Sequence, residues 1–115
     1  LVECDGYFLS TAVMRDMRRA YDPEERHTRD PLAWPYWAAD GDLAGLPPHT
    51  VSVNELDPLR DEGNAYAQLL KSAKVPVSHS MFEGEPHVLF QLFNVCEGAK
   101  TLIAECAAAL ATAFE

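Results

Sequence analysis

Apolar and polar residues alternate along His49-Thr50-Val51-Ser52-Val53-Asn54, with Val51 and Val53 on one side and Thr50, Ser52 and Asn54 on the other. A period of two, behind a Pro47-Pro48 pair that keeps the chain extended, predicts a short strand with one buried face. From Tyr66 the period changes. Tyr66, Leu69, Leu70 and Ala73 fall at i, i+3, i+4 and i+7, the stripe of a helix, and Asp61 and Glu62 stand where a helix start favours negative charge. The period of two returns from Val75 to Phe82, where Val75, Val77, His79 and Met81 alternate with Pro76, Ser78, Ser80 and Phe82. A helix between two strands implies a parallel, right-handed crossover, so both strand carboxyl ends emerge on one edge. Ligands of open α/β sheets gather at that edge.

The flanks are helical. Ser10 or Thr11 can cap a helix running to about Tyr21, with Val13, Met14, Met17, Ala20 and Tyr21 on one face and Arg15, Asp16, Arg18 and Arg19 on the other. Such a stripe is expected to pack on a core, the alternative being an adaptable, methionine-bearing binding patch. Asp22-Pro23 ends it, and Glu24 to Asp30, which includes His27, reads as a solvated loop. Trp34, Tyr36 and Trp37 crowd around Pro35, either docking on the body of the fold or walling a substrate site. Asp40-Gly41-Asp42 predicts a turn. Beyond a short apolar stretch, Val88 to Phe93, helical spacing resumes at Leu102, Ile103, Cys106, Ala107, Leu110, Ala113 and Phe114. The remaining face is rich in alanine, which suggests cover on more than one side, a second subunit in a homodimer being one source of such cover.

Two side chains stand at the predicted strand exits. Asp57 follows the first strand and His87 the second. An acid that accepts from one imidazole nitrogen fixes the tautomer and stabilises the imidazolium formed when the other nitrogen takes a nucleophile's proton. The plainer alternative is that Asp57 closes a turn before Pro58 and His87 is a loop histidine.

The ordered series Leu46-Pro47-Pro48, Asn54-Glu55-Leu56-Asp57-Pro58-Leu59-Arg60-Asp61-Glu62-Gly63, Ala65-Tyr66-Ala67, Val75-Pro76-Val77 and Gly84 to His87 resembles the C-terminal part of the hormone-sensitive-lipase-like family of α/β-hydrolase esterases. Asp5 to Ser10 and Asp30 to Tyr36 resemble further segments of that family, so the likeness covers nearly the whole chain. The resemblance implies an α/β fold, the C-terminal part of an α/β-hydrolase, incomplete without an N-terminal half. It places Asp57 on the triad acid and His87 on the triad histidine. Residues 1–48 would form a cap-like helix and connecting loops, with Tyr7, Phe8 and Met14 near an acyl chain, and residues 49–115 the strand-helix-strand-helix unit. Two departures stand out. The histidine of the family is typically followed by glycine and an aromatic, where this chain has Val88 and Leu89, and the G-x-S-x-G elbow and Gly-rich oxyanion segment occur nowhere in it. Glu83 and Glu85 also stand close to His87 in sequence, and negative charge favours the protonated ring, which is no base.

None of Ser10, Ser52, Ser72, Ser78 and Ser80 sits between glycines on a strand-to-helix turn. The nucleophile and oxyanion donors are therefore expected outside this chain, from the N-terminal half as partner, and the chain alone is expected to be inactive. A net charge of -9 disfavours nucleic acid and anionic membrane as partners. Cys4, Cys96 and Cys106 are an odd number without C-x-x-C spacing, and His27, His49, His79 and His87 are scattered, so neither disulfides nor a metal site is indicated; no cofactor motif is present. Reduced thiols fit a cytoplasmic setting, no signal-peptide layout opens the chain, and no apolar run reaches the roughly 18 residues of a membrane span. The 48% hydrophobic content argues for a folded object, although two strands leave edges that want partners. The sequence thus reads as part of a carboxylic ester hydrolase acting on small-molecule esters, the alternative being a non-catalytic association module of the same fold.

Overall fold

The structure, a computed structural model, describes residues 3–114. The outermost parts of the two expected segments, residues 1–2 and 115, lie outside the described residues. Helix α1 spans Thr11–Tyr21, α2 Asp40–Leu43, α3 Arg60–Ser72 and α4 Glu97–Ala113, with strands β1 at His49–Leu56 and β2 at Val77–Pro86. Short 3-10 turns occupy Pro35–Trp37 and Leu89–Leu92. Among the described residues the sheet consists of β1 and β2, parallel and in register from His49 opposite Val77 to Asn54 opposite Phe82.

Alternation along β1 sorts its neighbours. Val51 and Val53 turn towards α3, where Ala38, Leu43, Leu70 and Val75 form a buried cluster joined by Val51, Tyr66, Leu69 and Val77. The opposite face carries Ser52, whose hydroxyl lies 3.3 Å from that of Ser80, and Ser80 donates to Glu105 of α4 at 3.0 Å. On that side Phe82, Leu89 and Ala99 make a second cluster with Cys96 and Leu102. One helix thus covers each face, the arrangement parallel strands require.

Helix ends follow local chemistry. The Ser10 hydroxyl accepts from the Val13 N–H at 3.3 Å, and Asp5 accepts from the Thr11 N–H at 2.6 Å and its hydroxyl at 2.9 Å. The backbone hydrogen bond from Thr11 holds the Asp5 carboxyl below its ordinary range. At the far end of α3 the Val75 N–H reaches the Leu70 carbonyl at 2.9 Å while Lys74 takes φ 61°, a left-handed stop that turns Val75 back onto Leu70.

Several expectations change. Strand β1 runs on past Asn54 to Leu56, and β2 is displaced along the chain, starting at Val77 rather than Val75 and ending at Pro86 rather than Phe82, because pairing continues to Leu56 opposite Pro86. The Asp40 turn is one turn of helix, fixed by Asp42 accepting from the Ala39 N–H at 2.9 Å, and it buries Leu43. Within the short apolar stretch Val88 to Phe93, Leu89–Leu92 form the second 3-10 turn. The stripe of α1 does not pack on a core: α1 has no buried residue, and Val13, Met17 and Tyr21 are exposed. The stripe of α4 is likewise turned outward. Leu102 packs inward, but Ile103, Leu110 and Phe114 are exposed, because Leu102 and the Glu105 to Ser80 hydrogen bond set which side of the helix meets the sheet.

Gly63, on the inner face of α3, allows the helix to lie on β1: a Cβ there would stand 2.6 Å from Cγ1 of buried Val53. In Gly63→Ala the helix-propensity gain of about 1 kcal/mol is outweighed by an overpacking cost of roughly 1–3 kcal/mol against a stiff, branched neighbour. Chemical denaturation of the polypeptide carrying this chain should show a lower midpoint for this variant, and a raised midpoint would mean that Val53 yields freely.

Candidate active site

The two strand exits converge. Asp57 follows the last residue of β1, and one of its carboxylate oxygens, Oδ2, lies 2.8 Å from Nδ1 of His87, which follows the last residue of β2. The other oxygen, Oδ1, accepts the Leu59 N–H at 2.8 Å, a tight turn over the fully buried Pro58, while the Asp57 carbonyl accepts from the Arg60 N–H at 3.0 Å and opens α3. The turn-forming and histidine-facing readings of Asp57 therefore hold together, one on each oxygen. The side chain of Asp57 is 11% exposed and that of His87 30%, so the carboxylate is sheltered and the ring reaches the surface. With Nδ1 on Asp57 the ring is oriented, and Nε2 has no hydrogen-bond partner among the described residues.

Arg60 braces the β1 exit. Its Nη1 donates to the Glu55 carbonyl at 3.0 Å and its Nε to Asp61 at 2.9 Å, with Glu3 3.9 Å from Nη2. The thiol of Cys4 reaches the same carbonyl at 3.4 Å, tying the first described residues to this corner. The hydrogen bond to Arg60 holds the Asp61 carboxyl down and raises the guanidinium in return.

Glu85, expected close to the imidazole, rests instead on the first turn of α4: a Cβ added at Gly98 would stand 2.7 Å from its Oε1. A carboxylate there meets the positive end of the helix. Desolvation, and then the hydrogen bond and charge of Glu85, push the Cys96 thiol up.

His87 stands on the wall of a broad open cleft shared with Leu59 and Glu62 of the α3 start, Met14 and Tyr21 of α1, and the Trp34, Tyr36 and Trp37 group. Of the residues expected near an acyl chain, Met14 lines this cleft; Tyr7 and Phe8 lie exposed and outside its lining. The aromatic wall is internally ordered. Tyr21 meets Trp34 edge to face at 5.1 Å, Tyr36 meets Trp37 likewise at 5.4 Å, and the Arg29 guanidinium lies 5.2 Å from the Trp37 ring centre. Leu59 was not singled out in the sequence, and Glu62 was read only as an acid at a helix start. Their place on the first helical turn after Asp57 was the available signal.

A family model described as alpha/beta hydrolase fold matches residues 2–91. The chain belongs to the α/β-hydrolase family. Among solved structures, this α/β-hydrolase chain is similar to brefeldin A esterase, a bacterial homologue of human hormone sensitive lipase, at 44% identity and TM-score 0.87 over 96% of this chain and 31% of that one. A hyperthermophilic esterase from the archaeon Pyrobaculum calidifontis superimposes at TM-score 0.85 and 32% identity over 94% of this chain and 35% of its own. The arylesterase of Saccharolobus solfataricus is 37% identical over 83 residues, 71% of this chain and 26% of the relative. The resemblance to hormone-sensitive-lipase-like esterases is borne out, and the α/β-hydrolase chain spans about a third or less of the length of these relatives. Among its described residues no helix is long and apolar enough to cross a membrane.

Where the family typically has glycine after the histidine, Val88 holds φ 57° and ψ 34°. A branched residue in the left-handed region carries roughly 1–2 kcal/mol of strain. Val88→Gly removes it at the cost of a more flexible unfolded chain, for a net gain of about 0.5–1 kcal/mol. Thermal melting should show a raised midpoint, and a lowered one would mean that the valine side chain contributes more than its backbone costs.

Proposed function

We propose that this chain supplies the acid and the histidine of a serine carboxylic ester hydrolase, with the nucleophilic serine and the oxyanion donors contributed by polypeptide outside these 115 residues. The observation that carries the reading is the 2.8 Å contact between Asp57 Oδ2 and His87 Nδ1, with the second carboxylate oxygen anchored by the Leu59 N–H. Membership of the α/β-hydrolase family and similarity to esterases support it. In this reading His87 takes the serine proton at Nε2 as the hydroxyl attacks the ester carbonyl, and Asp57 stabilises the imidazolium through Nδ1–H. The same proton then passes from Nε2 to the departing alkoxide. Water repeats the cycle on the acyl-enzyme, with His87 again the base.

The division of labour follows the sequence. Residues 49–115 carry the acid and histidine, and residues 1–48 contribute a cap-like helix and an aromatic wall facing a small, predominantly apolar ester. Met14 lies on that wall, while Tyr7 and Phe8 stay outside it.

In the polypeptide that carries this chain, His87→Ala and Asp57→Asn should each lower kcat for p-nitrophenyl ester hydrolysis by about 10³-fold or more. Both variants should keep the far-ultraviolet dichroism of the parent, since the amide oxygen introduced by Asp57→Asn still accepts from the Leu59 N–H. A serine-directed phosphonate should label a residue outside the present chain. Full turnover in His87→Ala would overturn the assignment.

A further inference from the structure

The sheet is irregular where the proposed site forms. From Asn54 to Leu56 strand β1 advances two residues, while its partners on β2, Phe82 and Pro86, are four apart, so β2 carries two extra residues immediately before His87. Gly84, at φ 72°, lies in this bulge. A bulge breaks the ladder that would otherwise hold the strand in place, leaving its peptide groups to find other partners. Two side chains of β1 provide them. Asn54 Nδ2 donates to the Pro86 carbonyl at 2.8 Å, and the Gly84 N–H donates to Glu55 Oε2 at 2.7 Å.

We infer that Asn54 and Glu55 are positioning residues that clamp the β2 bulge and thereby hold His87 in register with Asp57. This rests on the esterase reading given above. Neither side chain hydrogen-bonds the imidazole. Their two anchor points bracket Glu85, and Pro86 is bonded directly to His87, so the clamps fix the backbone from which the ring projects. Both clamps and Asp57 belong to the stretch 54–57, so acid and histidine are referred to one rigid corner. That corner is itself held by Arg60 and Cys4 on the Glu55 carbonyl. A bulge pinned by one clamp can pivot about it, whereas two clamps on adjacent residues resist rotation as well as translation. Displacing a general base by about 1 Å can cost on the order of 10²-fold in rate without altering how substrate is bound.

The test compares Asn54→Asp, nearly isosteric but without the donor, with Glu55→Leu and Glu55→Gln, of which only the last keeps an acceptor for Gly84. In the polypeptide that carries this chain, Asn54→Asp and Glu55→Leu should lower kcat by roughly 10- to 100-fold with KM changed less than about twofold. Glu55→Gln should stay close to the parent. The downfield proton resonance of His87 Nδ1–H, diagnostic of its bond to a carboxylate, should broaden or vanish in the first two and persist in the third. A purely structural role would instead lower the folded fraction and leave that signal intact in the molecules that fold. Should Asn54→Asp fail to fold, the Glu55 pair makes the same comparison through the Gly84 clamp. Unchanged kcat and an unchanged signal in Glu55→Leu, or equal loss in Glu55→Gln, would overturn the proposal. Full turnover in His87→Ala would defeat the esterase reading alone, because the proton signal reports on the clamps whether or not the enzyme turns over.

Discussion

The corner of this chain is organised by one carboxylate that serves two partners. Asp57 turns Oδ1 to the Leu59 N–H and Oδ2 to His87 Nδ1. The first bond is local and closes the turn that carries the chain from β1 into α3. The second spans thirty residues of sequence and joins the two strand exits. An ionised carboxylate has acceptor capacity for both, and its near burial makes each bond stronger than it would be in water. Loss of either bond would leave a sheltered charge short of a partner.

The surroundings extend the same logic. Arg60 and Cys4 converge on the Glu55 carbonyl, Glu55 and Asn54 reach across to β2, and buried Pro58 fills the space beneath the turn. These contacts run between side chain and backbone, which suits a place where the ladder is interrupted and peptide groups need partners. The Val88 backbone, immediately after His87, lies in the left-handed region, a strained conformation for a branched residue.

Two apolar surfaces remain open around this framework: the α1 and aromatic side of the cleft, and the outward stripe of α4 with Ile103, Leu110 and Phe114. The chain spans about a third of the esterases it resembles, and a two-stranded parallel sheet with one helix on each face is a fraction of an α/β-hydrolase fold. Amphipathic stripes evolve against what covers them. Neither stripe buries its apolar face against the described residues of this chain.

The sequence by itself determined the strand, helix and strand of the centre, the outer helices, and the acid and histidine at the two exits. Periods of two and 3.6, together with turn residues such as those of Asp57-Pro58, express geometry between near neighbours, and near neighbours are all a sequence pattern records. Only the tertiary structure decided which stripe is covered, since the outward turn of α4 depends on Ser80 and Phe82, far off in the chain. It alone revealed the mismatch of two residues against four beside His87, the clamps from Asn54 and Glu55 that absorb it, and the strained Val88. Each of these arises from how two separately formed strands are fitted together, and the energies that fix such a fit lie in contacts between residues that no local period connects.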